Sequence, residues 1–317
     1  FVLEFYNYLI ILKVNSEDNM SDLCTVDFTG VEIKLAQSAK RIACLTSSGL
    51  DILRELDLEP VGYLTKGIAE QPQFYGDLAQ KFVPLGSWMI PNIKAVRSLK
   101  PDLVIGWTFP HRFYRKLFGR EIPLYLMGGN GYNAALQRLW NIAYLTNRVD
   151  RAEIAIANFQ TRLEMYRNTI PKSAYKTVLF MGGSRINLLS GKFIIETNIG
   201  TFGSIVQQFS HYPWLEPKGY NIEPGLTNVS LQKILSVNPD IIFVQTYSSS
   251  FSRKTTLSEQ LKKNKIWQQL KAVQNNNVHE IEQLWHYANG TRMIGLTLDK
   301  LMPIIYPTIF ESKINRT

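Results

Sequence analysis

Two stretches of this chain are near-copies of each other, 138 residues apart. Val96-Arg97-Ser98-Leu99-Lys100-Pro101-Asp102-Leu103-Val104-Ile105-Gly106-Trp107-Thr108 is echoed by Ile234-Leu235-Ser236-Val237-Asn238-Pro239-Asp240-Ile241-Ile242-Phe243-Val244-Gln245-Thr246. An internal repeat constrains the fold strongly, because both copies must make the same kind of unit. In each, a short amphipathic helix ends before proline, since the residue preceding proline avoids the helical region. A run of branched apolar residues follows, as in a strand buried on both faces of a parallel sheet. Upstream, residues 91–96 pair with 227–232, and Asn92 or Asn228 can start the helix.

Each half also opens alike. Arg41-Ile42-Ala43-Cys44-Leu45 runs into Thr46-Ser47-Ser48-Gly49, and Thr177-Val178-Leu179-Phe180-Met181 runs into Gly182-Gly183-Ser184-Arg185. Further strands are expected over 61–64, 123–127 and 278–281. Strands alternating with helices predict an α/β protein of two Rossmann-like lobes with parallel sheets, whose ligand sites lie beyond the strands' carboxyl ends. Between the lobes, Ala152, Ala155, Ile156, Phe159, Leu163 and Tyr166 recur at three- and four-residue steps, and Pro171 follows. One helix is expected over 149–170, about 30 Å long at 1.5 Å per residue. The expected organisation is an N-terminal segment (1–21), an N-terminal lobe (22–148), the connecting helix (149–170) and a C-terminal lobe (171–317), with the ligand cleft between lobes.

Composition narrows the function. With 45% apolar residues and 19% charged, the 317-residue chain has the apolar content for sizeable cores. No stretch approaches the roughly 18 apolar residues of a membrane span. Two cysteines, Cys24 and Cys44, make neither a disulfide framework nor a four-thiolate zinc site. The formal charge is +9, although residues 1–35 carry two bases against six acids, so the remainder is strongly basic and favours anionic partners. Dense basic clustering occurs only at Lys262, Lys263 and Lys265, a solvated helix face, so nucleic acid is not expected as a partner. The first twenty residues do not read as a secretory signal: Glu4 stands where a base should be, Asn7 interrupts the apolar run, and no A-x-A follows. Ser21-Asp22-Leu23-Cys24 does not read as a lipoprotein site either.

Enzymatic signatures are weak. Met127-Gly128-Gly129-Asn130-Gly131-Tyr132-Asn133-Ala134 holds a G-x-G-x-x-A, but after a late strand and without an acidic residue at a following strand end, so a strand-to-helix turn lining the cleft is the simpler reading. Gly182-Gly183 lacks the Walker lysine. His111, His211, His279 and His286 show no metal-ligand spacing, so no metal bound directly by the protein is expected. Ser184 has no G-x-S-x-G context. No catalytic residue is assigned.

The distinctive feature is aromatic residues at strand exits: Trp88 after Gly86-Ser87, Trp107 and Tyr247 at the ends of the repeated strands, and Trp285 after the 278–281 strand. With Arg185 in a lobe-two loop, they describe a cleft for a large, partly apolar, anionic ligand. Ser47, Ser48 and His286 complete the expected ligand-binding set.

The chain resembles the helical-hinge (class III) periplasmic substrate-binding proteins of ABC importers, in their ferric-siderophore and cobalamin branch, and is most similar to cyanobacterial iron(III)-siderophore binders. The resemblance covers roughly residues 22–310. Its carriers are Arg41-Ile42-Ala43-Cys44-Leu45, Asp51-Ile52-Leu53, Pro60-Val61-Gly62, Leu85-Gly86, Pro91-Asn92, the 99–106 segment, Asn238-Pro239-Asp240 and Trp267-Gln268-Gln269-Leu270-Lys271-Ala272-Val273. The resemblance implies a monomeric, non-enzymatic receptor in the periplasm or another extracytoplasmic space. It would hold a ferric siderophore of hydroxamate or citrate-hydroxamate type and deliver it to an ABC permease. No cofactor is implied, since the iron arrives inside the chelate. Cobalamin or haem is the alternative cargo, and a Rossmann-type nucleotide-dependent enzyme the more distant alternative. Family members dock through a glutamate on each lobe; the matching positions here are Lys94 and Gln232, which predicts weak docking to a generic siderophore permease.

Overall fold

The computed structural model describes residues 23–64, 67–119, 121–182, 191–219, 224–245, 256–281 and 290–314. A hairpin of β1 (Leu23–Val26) and β2 (Glu32–Leu35) precedes the first sheet. That sheet holds β3 (Ile42–Cys44), β4 (Gly62–Tyr63), β5 (Val83–Pro84), β6 (Leu103–Trp107) and β7 (Leu124–Met127), all parallel, in the order β5-β4-β3-β6-β7. Its helices include α1 (Ser47–Glu55), α2 (Ile93–Ser98) and α3 (Gly131–Leu145). Residues alternate between two cores: Ile42, Cys44, Leu103 and Ile105 face the main one, while Ala43 and Val104 face a second with Val96 and Phe118. Burial on both faces is why these strands read as unbroken apolar runs.

The connecting helix α4 runs Val149–Thr169 and buries Ala152, Ala155, Ile156, Phe159, Leu163 and Tyr166. The second sheet holds β8 (Val178–Gly182), β9 (Lys192–Glu196), β10 (Leu226–Ser230), β11 (Ile241–Gln245) and β12 (Val278–Ile281), ordered β10-β9-β8-β11-β12. Here the expectation of a fully parallel sheet is corrected. β8, β11 and β12 are parallel, but β9 runs antiparallel to both β8 and β10. Only residues 183–191 join β8 to β9, fewer than the dozen or so that a parallel crossover needs.

The repeat is visible in three paired devices. Asn92 caps α2 by accepting the Ala95 N–H at 3.1 Å, and Ser230 caps α5 (Leu231–Val237) by accepting the Lys233 N–H at 3.2 Å. Asn228 lies instead inside β10, so the 138-residue offset holds through the caps, and the upstream pairing of 91–96 with 227–232 is two residues out of register. Both helices then end on a left-handed residue, Lys100 (φ 45°) and Asn238 (φ 51°), rather than on the extended residue expected before proline. Finally, Asp102 accepts the Lys40 and Arg41 N–H groups, and Asp240 accepts the Thr177 N–H, so each latches its strand to the first strand of its five-stranded sheet.

The last helices, α6 (Thr291–Ile305) and α7 (Pro307–Ile314), return from lobe two, and α6 packs on both α1 and α4. The chain therefore joins the lobes twice. The two cysteines do not meet: Cys24 Sγ bonds Glu32 Oε1, whereas buried Cys44 Sγ donates to Thr46 O and its thiol is pushed up to about 12 by burial.

Candidate functional site

In the first sheet the strand order reverses between β3 and β6, and open α/β sheets bind ligands beyond the carboxyl ends at such a switch point. Thr46 follows β3 and caps α1, its hydroxyl accepting the Ser48 N–H at 3.3 Å. Ser47 is half-buried at this turn, while Ser48 is buried. Trp107 ends β6 and is half-buried. Arg138 lies over its ring, 5.2 Å from the centroid, and donates to Gly128 O and Gly129 O at 2.8 Å. Burial brings the Arg138 guanidinium down to about 10.

Trp88 stands on the turn after β5, and one histidine ties it to Trp107. The Trp107 N–H donates to His111 Nδ1 at 2.9 Å, which leaves the proton on Nε2 to be donated to Trp88 O, also at 2.9 Å. Burial of His111 lowers its pKa to about 4, so the ring stays neutral and both nitrogens are occupied. Tyr114 holds the same turn by donating to Met89 O at 2.9 Å. Two further aromatics, missed in the sequence, continue outward from Trp88: Phe109 and Phe113. Their segment has no helical or strand periodicity, and the one available signal was the bare aromatic density of Trp107 to Tyr114.

The glycine-rich turn after β7 is explained by packing. A Cβ on Gly128 would stand 2.1 Å from the ring of Phe28, at the tip of the β1–β2 hairpin. A Cβ on Gly131 (φ +82°) would stand 2.7 Å from Ile199 O of lobe two. Beside it, Asn130 Nδ2 bonds Pro224 O and the Tyr132 N–H donates to Ser204 Oγ at 3.1 Å. The turn is a junction between lobes, and its glycines allow close approach rather than cradling a pyrophosphate.

A groove of about 520 Å³ lies at this junction, between the start of α3, the second half of α4 and residues 198–208. Carboxamides dominate its lining: Asn130, Asn133, Gln160, Asn198, Gln207 and Gln208. Ser47, Ser48, Trp88 and Trp107 do not line it, because it sits beyond the β7 edge and they surround β3–β6 and β5. Arg185, Tyr247, Trp285 and His286 lie outside the described residues. Lys94 and Gln232 are both exposed, each the second residue of its helix, α2 and α5. Among the described residues, no three His, Cys, Asp or Glu side chains gather as a metal set, and no helix is long and apolar enough to cross a membrane.

Comparison with known proteins places this geometry. The family model described as periplasmic binding protein matches residues 42–284. A probable siderophore-binding lipoprotein, YfiY of Bacillus subtilis, is 26% identical over 90% of this chain and 89% of its own. The haem uptake protein IsdE of Staphylococcus aureus is 23% identical over 82% and 84%. The crystal structure of the triscatecholate siderophore-binding protein FeuA of Bacillus subtilis, complexed with ferri-bacillibactin, superposes with a TM-score of 0.71 at 21% identity, covering 89% of this chain and 98% of that one. Two sheets ending at a shared junction, one long connecting helix and a matching family model over most of the chain lead to one assignment: this protein belongs to the periplasmic binding protein family.

Proposed function

We propose that the protein is the substrate-binding component of an iron-chelate ABC importer, and that it captures a ferric siderophore of hydroxamate or citrate-hydroxamate type without catalysing a reaction. The observation that carries this reading is the aromatic wall at the carboxyl ends of lobe one, in which His111 fixes Trp88 to Trp107. His111 bonds main-chain atoms of both segments and so holds together the two backbone turns that carry these part-exposed indoles, which suits a preformed pocket for a bulky, partly apolar ligand. The basic balance of the chain favours an anionic one. Iron is cargo in this reading, coordinated by the chelator rather than by a resident site. Relatives described as lipoproteins support an extracytoplasmic location, with the periplasm as the finer expectation.

Tryptophan fluorescence, titrated with ferric hydroxamate, citrate-hydroxamate and catecholate complexes, cobalamin, haem and NAD, tests the proposal. Saturable quenching by an iron chelate supports it. Quenching by NAD alone would overturn it.

Haem is the second reading, favoured by the IsdE relative and by Met89, whose thioether is exposed on the Trp88 turn and is a known type of axial ligand. His111 cannot supply that ligand, because both its nitrogens are occupied. A Soret band that shifts on adding the protein, and reverts in Met89→Ala, would select haem over the siderophore.

A further inference from the structure

The apolar surface of lobe one does not stop at Trp88. The rings of Trp88 and Phe109 meet edge-on at 6.2 Å, and those of Phe109 and Phe113 at 6.3 Å, forming a ridge that leads away from the strand ends. Phe109 is 52% exposed, Phe113 60% and neighbouring Ile90 72%. Single exposed apolar residues are ordinary, but a contiguous run marks a surface that something covers.

The charges around the ridge are one-sided. Residues 86–118 carry six Lys and Arg side chains, of which Arg115 is paired with the buried carboxylate of Asp27 and Lys100 lies beside the segment's one acid, Asp102. That acid lies at the amino end of β6, accepting from Lys40 and Arg41, away from the aromatics at the carboxyl end. Arg112 lies over the Phe113 ring at 4.9 Å, its charge beside the apolar strip. The ridge also shares Trp88 with the wall tied by His111, so a ligand resting against that wall touches the start of the ridge.

Resting on the siderophore reading, we infer that the chelate is amphiphilic: its anionic iron-binding head occupies the cleft, and an apolar arm, acyl or aryl, lies along Trp88, Phe109 and Phe113. The edge-on rings present apolar surface to such an arm, and the basic rim matches the charge of the head. Each methylene buried there raises affinity about fourfold, so a modest arm changes specificity decisively.

The test compares two ferric citrate-hydroxamate complexes that differ only in an N-octanoyl arm, titrated against the full chain and against Phe109→Ser/Phe113→Ser. Both phenylalanines are exposed, and a thermal melt confirms that the variant folds. The expected result is at least about tenfold tighter binding of the armed complex to the natural chain, a preference that collapses in the variant while the armless complex binds as before. Equal affinity for the two complexes in the natural chain overturns the amphiphile but leaves the siderophore reading standing. A preference that survives the double substitution also overturns it. Co-sedimentation with phosphatidylglycerol vesicles that depends on both phenylalanines, without any arm preference, assigns the ridge to a bilayer and overturns it as well. If neither complex binds, this inference and the function it rests on fall together.

Discussion

Arg292, in the first turn of α6, lies 2.8 Å from the buried carboxylate of Asp51 in α1. The Met293 N–H donates to the other Asp51 oxygen at 3.1 Å, and Thr291 Oγ1 donates to Glu55 one helical turn away. Arg292 also rests over the ring of Phe74, at 5.6 Å from the centroid. The end of the chain is thereby fastened to the first helix of lobe one. Removing one partner of a buried pair strands the other charge, so Asp51→Ala is expected to lower unfolding stability by about 3 kcal/mol in urea denaturation. Asp51→Asn keeps an acceptor for Met293 and should cost less. Equal, small losses in both variants would show that the pair carries little stability.

This second join bears on closure. α4 is a continuous helix of 21 residues, and α6 is held to it by Tyr166 Oη donating to Asp299 at 2.5 Å and by Arg162 at 3.3 Å from the same carboxylate. Hinge motions need a few residues able to absorb a large change in φ and ψ, which a hydrogen-bonded helix resists. X-ray scattering profiles of the ligand-free and chelate-bound protein should nearly coincide. A rotation of tens of degrees between lobes would contradict the double join.

Two groups, half-buried Glu196 and buried His111, pull stability in opposite directions with pH. Glu196 accepts the Phe202 and Gly203 N–H groups, yet burial outweighs them and raises its carboxyl from 4.5 to about 7. The folded state thus holds this proton more tightly than the unfolded chain, a contribution complete below pH 4.5 and lost as pH rises towards 7. His111, lowered from 6.5 to about 4 by burial, does the reverse: its contribution is present above pH 6.5 and is lost as pH falls towards 4. Between these limits each group changes the slope of stability against pH by up to about 1.4 kcal/mol per unit. Chemical denaturation across pH 4–7 should therefore give Glu196→Gln a more positive slope than the natural chain, and His111→Gln a more negative one. Parallel curves for all three proteins would refute both assignments.

What the sequence made legible was whatever repeats locally. The pairs Lys100 with Asn238 and Asp102 with Asp240 occupy the same backbone roles because each is set by its own helix end and strand start. The α4 stripe is likewise a property of consecutive turns. Features set by distant contacts were hidden. Gly128 is a glycine because of Phe28, and the docking of α6 depends on Asp51. The direction of β9 follows from a short connection, which periodicity does not report. In the site, Trp88 and Trp107 stood out as aromatics at strand exits, but the histidine joining them carried no motif.

Arg185 remains the sequence's strongest candidate for charge recognition, and the ligand tests it directly. If it pairs with a carboxylate or hydroxamate oxygen, Arg185→Ala should cost about 1.5–3 kcal/mol, roughly ten- to hundredfold in affinity for the ferric chelate. Trp88→Ala should also weaken binding, through lost packing, but with little dependence on salt. Unchanged affinity in both variants would place the ligand elsewhere.

If a permease docks at the positions that the family resemblance implies, it meets Lys94 and Gln232. The repeat puts them in equivalent places: each is exposed, each is the second residue of a short helix, and each follows a side-chain cap, Asn92 or Ser230. They are thus two similar handles presented by two similar lobes. The family resemblance implies a glutamate at both, facing arginines at the permease entrance. Lys94 reverses that charge on lobe one, and Arg97 lies one turn along the same helix. Gln232 removes the charge on lobe two, with Lys233 beside it. Like charges meeting at an interface cost several kcal/mol and slow encounter, so this chain should dock weakly to a generic siderophore permease. A co-adapted permease would instead present carboxylates to Lys94. Binding to a siderophore permease in nanodiscs, measured for the natural chain and for Lys94→Glu/Gln232→Glu, should show a gain in the double variant that shrinks as salt is added. Tight docking by the natural chain, unchanged by both substitutions, would show that these two positions do not govern recognition.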